Sequence, residues 1–465
     1  MSLTNRVGLL AGAATLALTG AGFAGTGDTN SEALAEIAKL KAELAELKSQ
    51  QGDNWLTEQR AAEIRSLVQD VLADADTRAS LQSSGMTAGW DKGFFRASPD
   101  GNFRLRVKGQ IQFRYVMNYR DIQTSGSEDR WTKGFENRRT KLTFEGNIFD
   151  KTWLYKVQAA FNRGNLDAAG AQQTDSGAAE LEDAWIQKDF ENGLYLRFGQ
   201  YKAPFLREEL VSSARQLAVE RSLLNERYNQ DYTQGVSVGF ESDMFRVEGM
   251  FSDGIGDNNV WGPSYQNSPW QRNTTEYAFT ARAEFLAAGE WKQFDDFTSW
   301  NGEPFGLMIG AAINWQRAEF GLDGPPTDFG QELGGTADIS AEFGGANLYG
   351  AFVWVNPDLD GDSGSAGDRN EIGFLVQGGF MLVPDTFEIF GRYEWADPDI
   401  SGEDDLNVIT AGVNWYFAKN AAKFTADVGF SLDDFGSTYA KSGAGWLNGF
   451  GEDEIVLRAQ WQLLF

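Results

Sequence analysis

The 465 residues include 67 Asp and Glu against 40 Lys and Arg, a formal charge of −27, and contain neither His nor Cys. Those two absences remove several chemistries at once: the Ser-His-Asp and Cys-His nucleophiles, His- or Cys-bound zinc, a haem ligated by His, and any disulfide framework. A carboxylate pair could still cleave a glycosidic bond, given two acids at a defined separation, but no pair is marked out by its surroundings. Asp358, Asp360 and Asp362 around Gly361 resemble the opening of a calcium loop. The frame fails, because the EF-hand needs Gly at its sixth position and Glu at its twelfth, where this chain has Ser363 and Arg369. Gly254-Ile255-Gly256 has no helix after it to present amide donors to a phosphate. No catalytic group, metal or cofactor is therefore expected, and the negative net charge argues against nucleic acid as a partner.

The charges that do show order lie in strands. From 103 to 120 the residues alternate, with Phe103, Leu105, Val107, Ile111, Phe113 and Tyr115 on one face and Arg104, Arg106, Lys108, Gln110, Gln112 and Arg114 on the other. Strands of soluble sandwiches run ~5 to 6 residues, whereas a tilted membrane strand needs ~9 to 11, so the apolar face is read as meeting lipid. The same alternation recurs near 135–149, 152–163, 179–190, 193–202, 233–241, 244–253, 274–285, 304–318, 331–343, 346–355, 369–382, 386–396, 406–417, 421–432 and 451–465. The count is sixteen, and the boundaries leave 14 or 18 open. Tight turns such as Phe149-Asp150-Lys151, Gly344-Gly345, Val383-Pro384-Asp385 and Ala418-Lys419-Asn420 alternate with long polar links, except that the 286–303 link is long where a short turn belongs. Short turns at one end and long loops at the other mark a transmembrane barrel. A sheet in lipid must close, since each unpaired edge group costs several kcal/mol, and sixteen strands enclose an aqueous channel rather than a packed core. A mean hydropathy of −0.40 speaks against a bundle of membrane helices. Phe149, Trp153, Phe190, Phe245, Phe343, Phe387, Phe417 and Phe424 flank the short turns as an interfacial girdle. The last strand alternates to its end, and Trp461, Leu463 and the terminal Phe465 resemble the signal read by outer-membrane assembly machinery.

Other elements precede the barrel. Residues 1–24 read as a secretory signal, with a short apolar run from Val7 to Leu18 and small residues around a cleavage site after Ala24. Residues 25–93 read as a helical stalk and a Gly-rich joint, and 94–465 as the barrel. Ile37, Leu40, Leu44 and Leu47 form an a/d seam whose flanking pairs, Glu36 with Lys41 and Glu43 with Lys48, suit parallel chains. Two heptads are marginal alone, so the seam works where something else already gathers the chains, with an amphipathic monomeric helix as the alternative.

Strand parity sorts the lumen charges into two walls. Strands one to five offer Arg104, Arg106, Lys108, Arg114, Arg139, Lys141, Lys156 and Arg197, with Glu145 and Glu182 among them. Strands seven to fifteen offer acids, among them Asp338, Glu342, Glu388, Glu394 and Asp427. Opposed walls place a field across the channel. Anion selection and simple neutralisation of the acidic wall both fit the basic one.

Specific segments resemble the phosphate-selective porin O and P family: Arg138-Arg139-Thr140-Lys141-Leu142-Thr143-Phe144-Glu145-Gly146, Leu181-Glu182-Asp183-Ala184-Trp185, Gly199-Gln200-Tyr201-Lys202-Ala203-Pro204-Phe205, Glu208-Glu209-Leu210-Val211-Ser212-Ser213 and Glu220-Arg221-Ser222. The resemblance spans roughly 94–465 and leaves out the stalk. It implies a sixteen-stranded trimeric barrel, a third outer loop folded into the lumen, and anions conducted past lumen arginines and lysines, of which Arg139 and Lys141 carry over. The loop after Phe205, with Arg207, Glu208, Glu209, Arg215, Glu220 and Arg221, is the implied constriction. Its Leu206, Leu210, Val211, Leu217, Leu223 and Leu224 are too much apolar surface for a solvated loop, so it is expected inside the barrel, with a lid or a trimer contact as alternatives. The expectation is an all-β outer-membrane porin passing small hydrophilic solutes and ions by diffusion, with weak anion preference. Its partners are membrane lipid, two further copies of itself, the assembly machinery and, through the stalk, the cell wall. A structural envelope barrel and a carboxylate-based barrel enzyme are the competing readings.

Overall fold

The computed structural model describes residues 35–43, 45, 46, 66, 85–122, 131–161, 179–254, 275–318, 331–357, 369–433, 438–447 and 451–465. The chain divides into two compact units, Met1–Ser84 and Gly85–Phe465. In the first, residues 35–43, 45 and 46 are helical, Ile37 is half-buried and Leu40 is exposed. Leu44, Leu47, the signal segment 1–24 and the Asp358, Asp360 and Asp362 triplet lie outside the described residues.

The second unit starts with a hairpin, β1 (Thr87–Trp90) and β2 (Phe94–Ala97), whose first strand lies in the segment read as a Gly-rich joint. Sixteen barrel strands follow: β3 (Arg104–Ile122), β4 (Trp131–Asn147), β5 (Trp153–Ala160), β6 (Glu180–Asp189), β7 (Leu194–Lys202), β8 (Tyr232–Glu241), β9 (Phe245–Ser252), β10 (Thr275–Ala288), β11 (Gly306–Ala318), β12 (Gln331–Glu342), β13 (Ala346–Asn356), β14 (Glu371–Val383), β15 (Phe387–Asp397), β16 (Leu406–Tyr416), β17 (Ala422–Ser431) and β18 (Gly451–Leu464). Each pairs antiparallel with its neighbour in sequence, and β18 pairs with β3, so the ring closes at sixteen. The side-chain period of two then sorts every strand. On β13, Leu348 and Phe352 face outward and are about half exposed, while Tyr349 and Val353 are buried inside.

Closure leaves one gap. β18 ends opposite Gln110, six residues after β3 begins, and β2 fills the vacant edge by pairing Phe94–Ala97 with Arg104–Val107. Phe465 ends the seam: its amide donates to the Gly109 carbonyl at 3.0 Å and its carbonyl accepts from the Gly109 amide at 2.5 Å. A β-carbon at position 109 would lie 2.3 Å from the Phe465 ring. Gly109 is therefore a socket for the terminal ring, while Trp461 and Leu463 face outward beside it. Trp415, Phe417, Trp461 and Phe424 form one chain of ring contacts at 5.0 to 5.5 Å near the short turns, a local piece of the expected girdle.

Register shifts interrupt several pairings among the described residues, and two of them bear on the lumen charges. Gln112 faces Arg139 and Phe113 faces Asn137, leaving Arg138 unpaired; Gln158 faces Asp183 and Ala159 faces Leu181, leaving Glu182 unpaired. A bulge inserts one residue and re-aims its neighbours, so both members of Arg138-Arg139 and of Glu182-Asp183 carry their charge inward.

Candidate functional site in the barrel lumen

The segment between β7 and β8, residues 203–231, folds into the lumen and is buried over almost its whole length. It contains α1 (Arg207–Leu210), a 3-10 turn at Ser213–Arg215 and α2 (Leu223–Tyr228). Its apolar residues explain the position: Phe205, Leu206, Val211, Leu217, Leu223, Leu224 and Tyr228 form one buried cluster with wall residues that include Val353, Val355, Leu375, Leu406 and Val408. Leaving these side chains in water would forfeit roughly 1.5 to 3 kcal/mol each. Lid and trimer-contact positions are thereby excluded.

Polar contacts pin the same segment. Buried backbone carbonyls need donors, and the wall supplies them: Arg282 to Phe205 at 2.9 Å, Asn414 to Leu217 at 3.0 Å, Lys423 to Gln216 at 2.8 Å, Arg392 to Glu220 at 2.9 Å and Gln462 to Ala214 at 2.9 Å. Arg207 donates to Ser340 at 3.0 Å and Arg221 to the Glu208 carbonyl at 3.0 Å. Glu208 accepts from the Ser222 amide at 2.9 Å, and Glu209 pairs with Arg221 and Lys202. Glu220 is the centre of the anchor, paired with Arg114 at 2.5 Å, Arg138 at 2.9 Å and Arg139 at 2.7 Å. Burial pushes its carboxyl up, but Arg138, Arg139 and Arg114 outweigh burial and hold it well below the carboxylate range.

The acidic wall lies under this segment. Glu394 accepts from the Leu223 amide at 2.6 Å, at the start of α2, and pairs with Arg392 at 2.9 Å, a place where a carboxylate complements the helix dipole. Asp427 accepts from the Val219 amide at 2.8 Å and pairs with Arg458 at 2.7 Å. Asp338 pairs with Arg282 at 2.8 Å. Glu388 accepts from Tyr416 at 2.6 Å and from Asn414 at 3.0 Å. All four, with Glu342, are at most 6% exposed. Expected as pore lining, these five acids instead hold the inserted loop and its surroundings.

The basic residues separate into three groups. Arg114 and Arg139 are buried against Glu220 and do not line open space, which corrects their assignment from parity. Arg104 and Arg106 pair with Asp91 in the β1–β2 turn at 2.5 and 2.7 Å, and Arg106 and Lys108 pair with Glu145 at 3.0 and 2.6 Å. They tie the hairpin to the end of the barrel where the tight turns lie. Lys141, Lys156 and Arg197 face the remaining gap, together with Lys202, which parity did not single out. Their partners are Glu182 at 2.6 Å, Asp183 at 2.8 Å, Glu248 at 3.4 Å and, for Lys202, Glu209.

Among the described residues, the spaces between the inserted loop and the wall include a larger and a smaller one. The larger, about 280 Å³, is lined by those four cations and Asp183, with Gln110, Gln158, Trp185, Tyr201 and Tyr232, and by Leu210, Ser212 and Ser213 of the loop. The smaller, about 130 Å³, includes Tyr195, Arg246, Glu248, Arg282 and Glu284. The loop packs onto the acidic wall and, through Glu220, onto Arg114, Arg138 and Arg139 of β3 and β4, and the larger space lies beside Lys141, Lys156, Arg197 and Lys202.

Two further segments turn inward. In the link between β10 and β11, read as an anomalous long turn, Gln293, Phe294, Phe297, Thr298, Ser299 and Trp300 are buried. This link reaches the inserted loop, where Arg207 donates to the Phe294 carbonyl at 2.7 Å and Arg215 pairs with Asp295 at 3.3 Å. It also reaches three tight turns: Ser299 accepts from the Gly344 amide at 3.0 Å, Asp385 from the Asn301 amide at 2.8 Å, and Asp296 from the Asn420 side chain at 3.0 Å. Burial pushes the Asp296 carboxyl up to about 6. From the other end, residues 438–447 bring Tyr439 and Trp446 to full burial, with Tyr439 in hydrogen-bond contact with Tyr228 at 3.1 Å. Unexpected length together with aromatic residues was the available signal for the first, and aromatic residues alone for the second.

A family model described as phosphate-selective porin O and P matches residues 106–444. An uncharacterized protein of Aquifex aeolicus (strain VF5) is 23% identical over 354 residues, covering 70% of this chain and 82% of that protein. Among solved structures, an anion-selective porin from Comamonas acidovorans superposes with a TM-score of 0.52 at 12% identity, over 78% of this chain and 99% of that one. OmpT of Vibrio cholerae matches at a TM-score of 0.44 and 13% identity, over 77% of this chain and 97% of that one. At such identity, the likeness to the Comamonas porin shows the barrel fold.

Proposed function

The chain belongs to the phosphate-selective porin O and P family, and from that premise we propose that this outer-membrane porin passes small hydrophilic solutes and ions with a weak preference for anions. One observation carries the preference: the inserted loop covers the acidic wall and leaves open the side bearing Lys141, Lys156, Arg197 and Lys202. Charges nearest the narrowest part of a pore decide selectivity, and exposed charges more than ~8 Å away are largely screened at physiological salt. The −27 of the whole chain is therefore a poor guide to what permeates. The preference is weak because each of the four cations already has a carboxylate partner.

The working unit of this reading is a homotrimer, with the stalk helices parallel in the periplasm through Ile37, Leu40, Leu44 and Leu47. Trp461, Leu463 and Phe465 present the assembly signal, and the stalk is the element placed to reach the cell wall. Purified protein in a planar bilayer tests the proposal: a stepwise current, linear in voltage and rising with salt concentration, supports a water-filled pore. Failure of folded protein to produce steps would refute it.

A further inference from the structure

The larger gap beside the inserted loop combines two features that a path for small inorganic anions does not need together. The first is charge already matched: Lys141 with Glu182, Lys156 with Asp183, Arg197 with Glu248 and Lys202 with Glu209. A compact, multiply charged anion entering there meets the carboxylates along with the cations, and at these separations the two Coulomb contributions largely cancel. The same cancellation holds for a single negative charge, so retention of any anion there needs a contribution besides charge. The second feature is ring surface beside those cations. The Arg197 guanidinium lies 5.2 Å from the Trp185 ring centre, 5.3 Å from Tyr195 and 5.0 Å from Tyr201, and the Lys202 ammonium lies 5.3 Å from Tyr232. Leu210 of the loop adds apolar surface on the opposite side.

We propose that this gap is a subsite for monocarboxylates carried on a planar aromatic ring. The proposal rests on the porin reading and specifies a preferred class of solute for it. The carboxylate would meet Lys156 or Arg197, the more exposed cations of the set, while the ring lies against the half-buried Trp185 in the offset or edge-on arrangements that aromatic pairs adopt. A guanidinium face also stacks on a planar ring. The gap of about 280 Å³ is close to the lower end of small-molecule sites, ~300 Å³. Strands on one side and the pinned loop on the other fix its walls, so little ordering is needed on binding.

The test is current block in a planar bilayer bathed in KCl, with benzoate, acetate or inorganic phosphate added at equal concentration. Benzoate should lower the current in a saturating manner, while acetate and phosphate leave it nearly unchanged. Trp185→Ala should raise the benzoate concentration for half block by about five- to tenfold, the usual size of an aromatic-pair contribution. Lys156→Gln should weaken block as well, and lipid-facing Phe198→Leu should not. Equal block by benzoate and acetate, stronger block by phosphate, or unchanged block in both lumen variants would overturn the proposal while leaving the porin reading intact. No channel current in KCl alone would remove both.

Discussion

Glu220 carries more of the lumen's organisation than any other side chain described, because three arginines from two strands converge on it. Removing one partner of a buried ion pair strands the others, typically at ~3 to 5 kcal/mol. Glu220→Gln should therefore lower the thermal unfolding temperature and give larger, noisier single-channel steps as the loop loosens; unaltered steps and stability would show that the apolar cluster alone holds the loop. Its folded-state pKa lies below the unfolded value, so its contribution is present above the ordinary carboxylate range and disappears as pH falls through the folded value. Asp296 has the opposite sign. Its carboxyl is pushed up to about 6, against an unfolded value near ~3.9, so the native chain holds this proton more tightly. The charged form then costs stability above about pH 6, and the cost is relieved as pH falls toward the unfolded value. Asp296→Asn should be more stable than the parent at neutral pH by on the order of 1–2 kcal/mol, an advantage that shrinks on acidification. An advantage independent of pH would assign the effect to hydrogen bonding instead.

At the scale of elements, the closing seam offers a clean test. Gly109→Leu would drive a side chain into the Phe465 ring, so refolding into detergent, followed by heat-modifiable gel mobility, should fall sharply. Phe465→Ala should refold in detergent, and adding it to Gly109→Leu should recover much of the loss. A double variant no better than Gly109→Leu would mean that the clash is not the cause. The strands themselves were legible in the sequence because lipid outside and water inside impose a period of two over nine to nineteen residues in nearly every strand, with few competing patterns. The same rule passed over Arg138 and Asp183, where the backbone slips. The bulges at Arg138 and Glu182 send consecutive residues inward, and neither carries a Gly or Pro to announce it. The inserted loop was legible from its leucines. Its placement against the acidic wall was not, because amides of Val219 and Leu223 that need acceptors leave no trace in a charge pattern. Hence Asp427 and Glu394 were read as pore lining when they serve the loop's backbone.

For the whole molecule, in the reading proposed above, a strongly acidic chain builds a channel whose open side bears Lys141, Lys156, Arg197 and Lys202. Among the described residues, Glu394 and Asp427 hold the loop and Glu284 and Asp338 pair a wall arginine, so net charge and permeation path are decoupled in this reading. The stalk belongs to this scale too. A Cys in place of Leu44, in a chain with no other Cys, should form interchain disulfides in the folded oligomer under mild oxidation. Monomeric bands alone would remove the parallel seam. Whether the loop closes the acidic side and leaves anions the side bearing Lys141, Lys156, Arg197 and Lys202 is read from the zero-current potential across a bilayer holding the unmodified protein in a KCl gradient. A modest potential of the sign that marks chloride as more permeant than potassium is expected, shifting toward potassium in Lys156→Gln/Arg197→Gln. A strongly potassium-selective potential in the unmodified protein, unmoved by that double substitution, would contradict it.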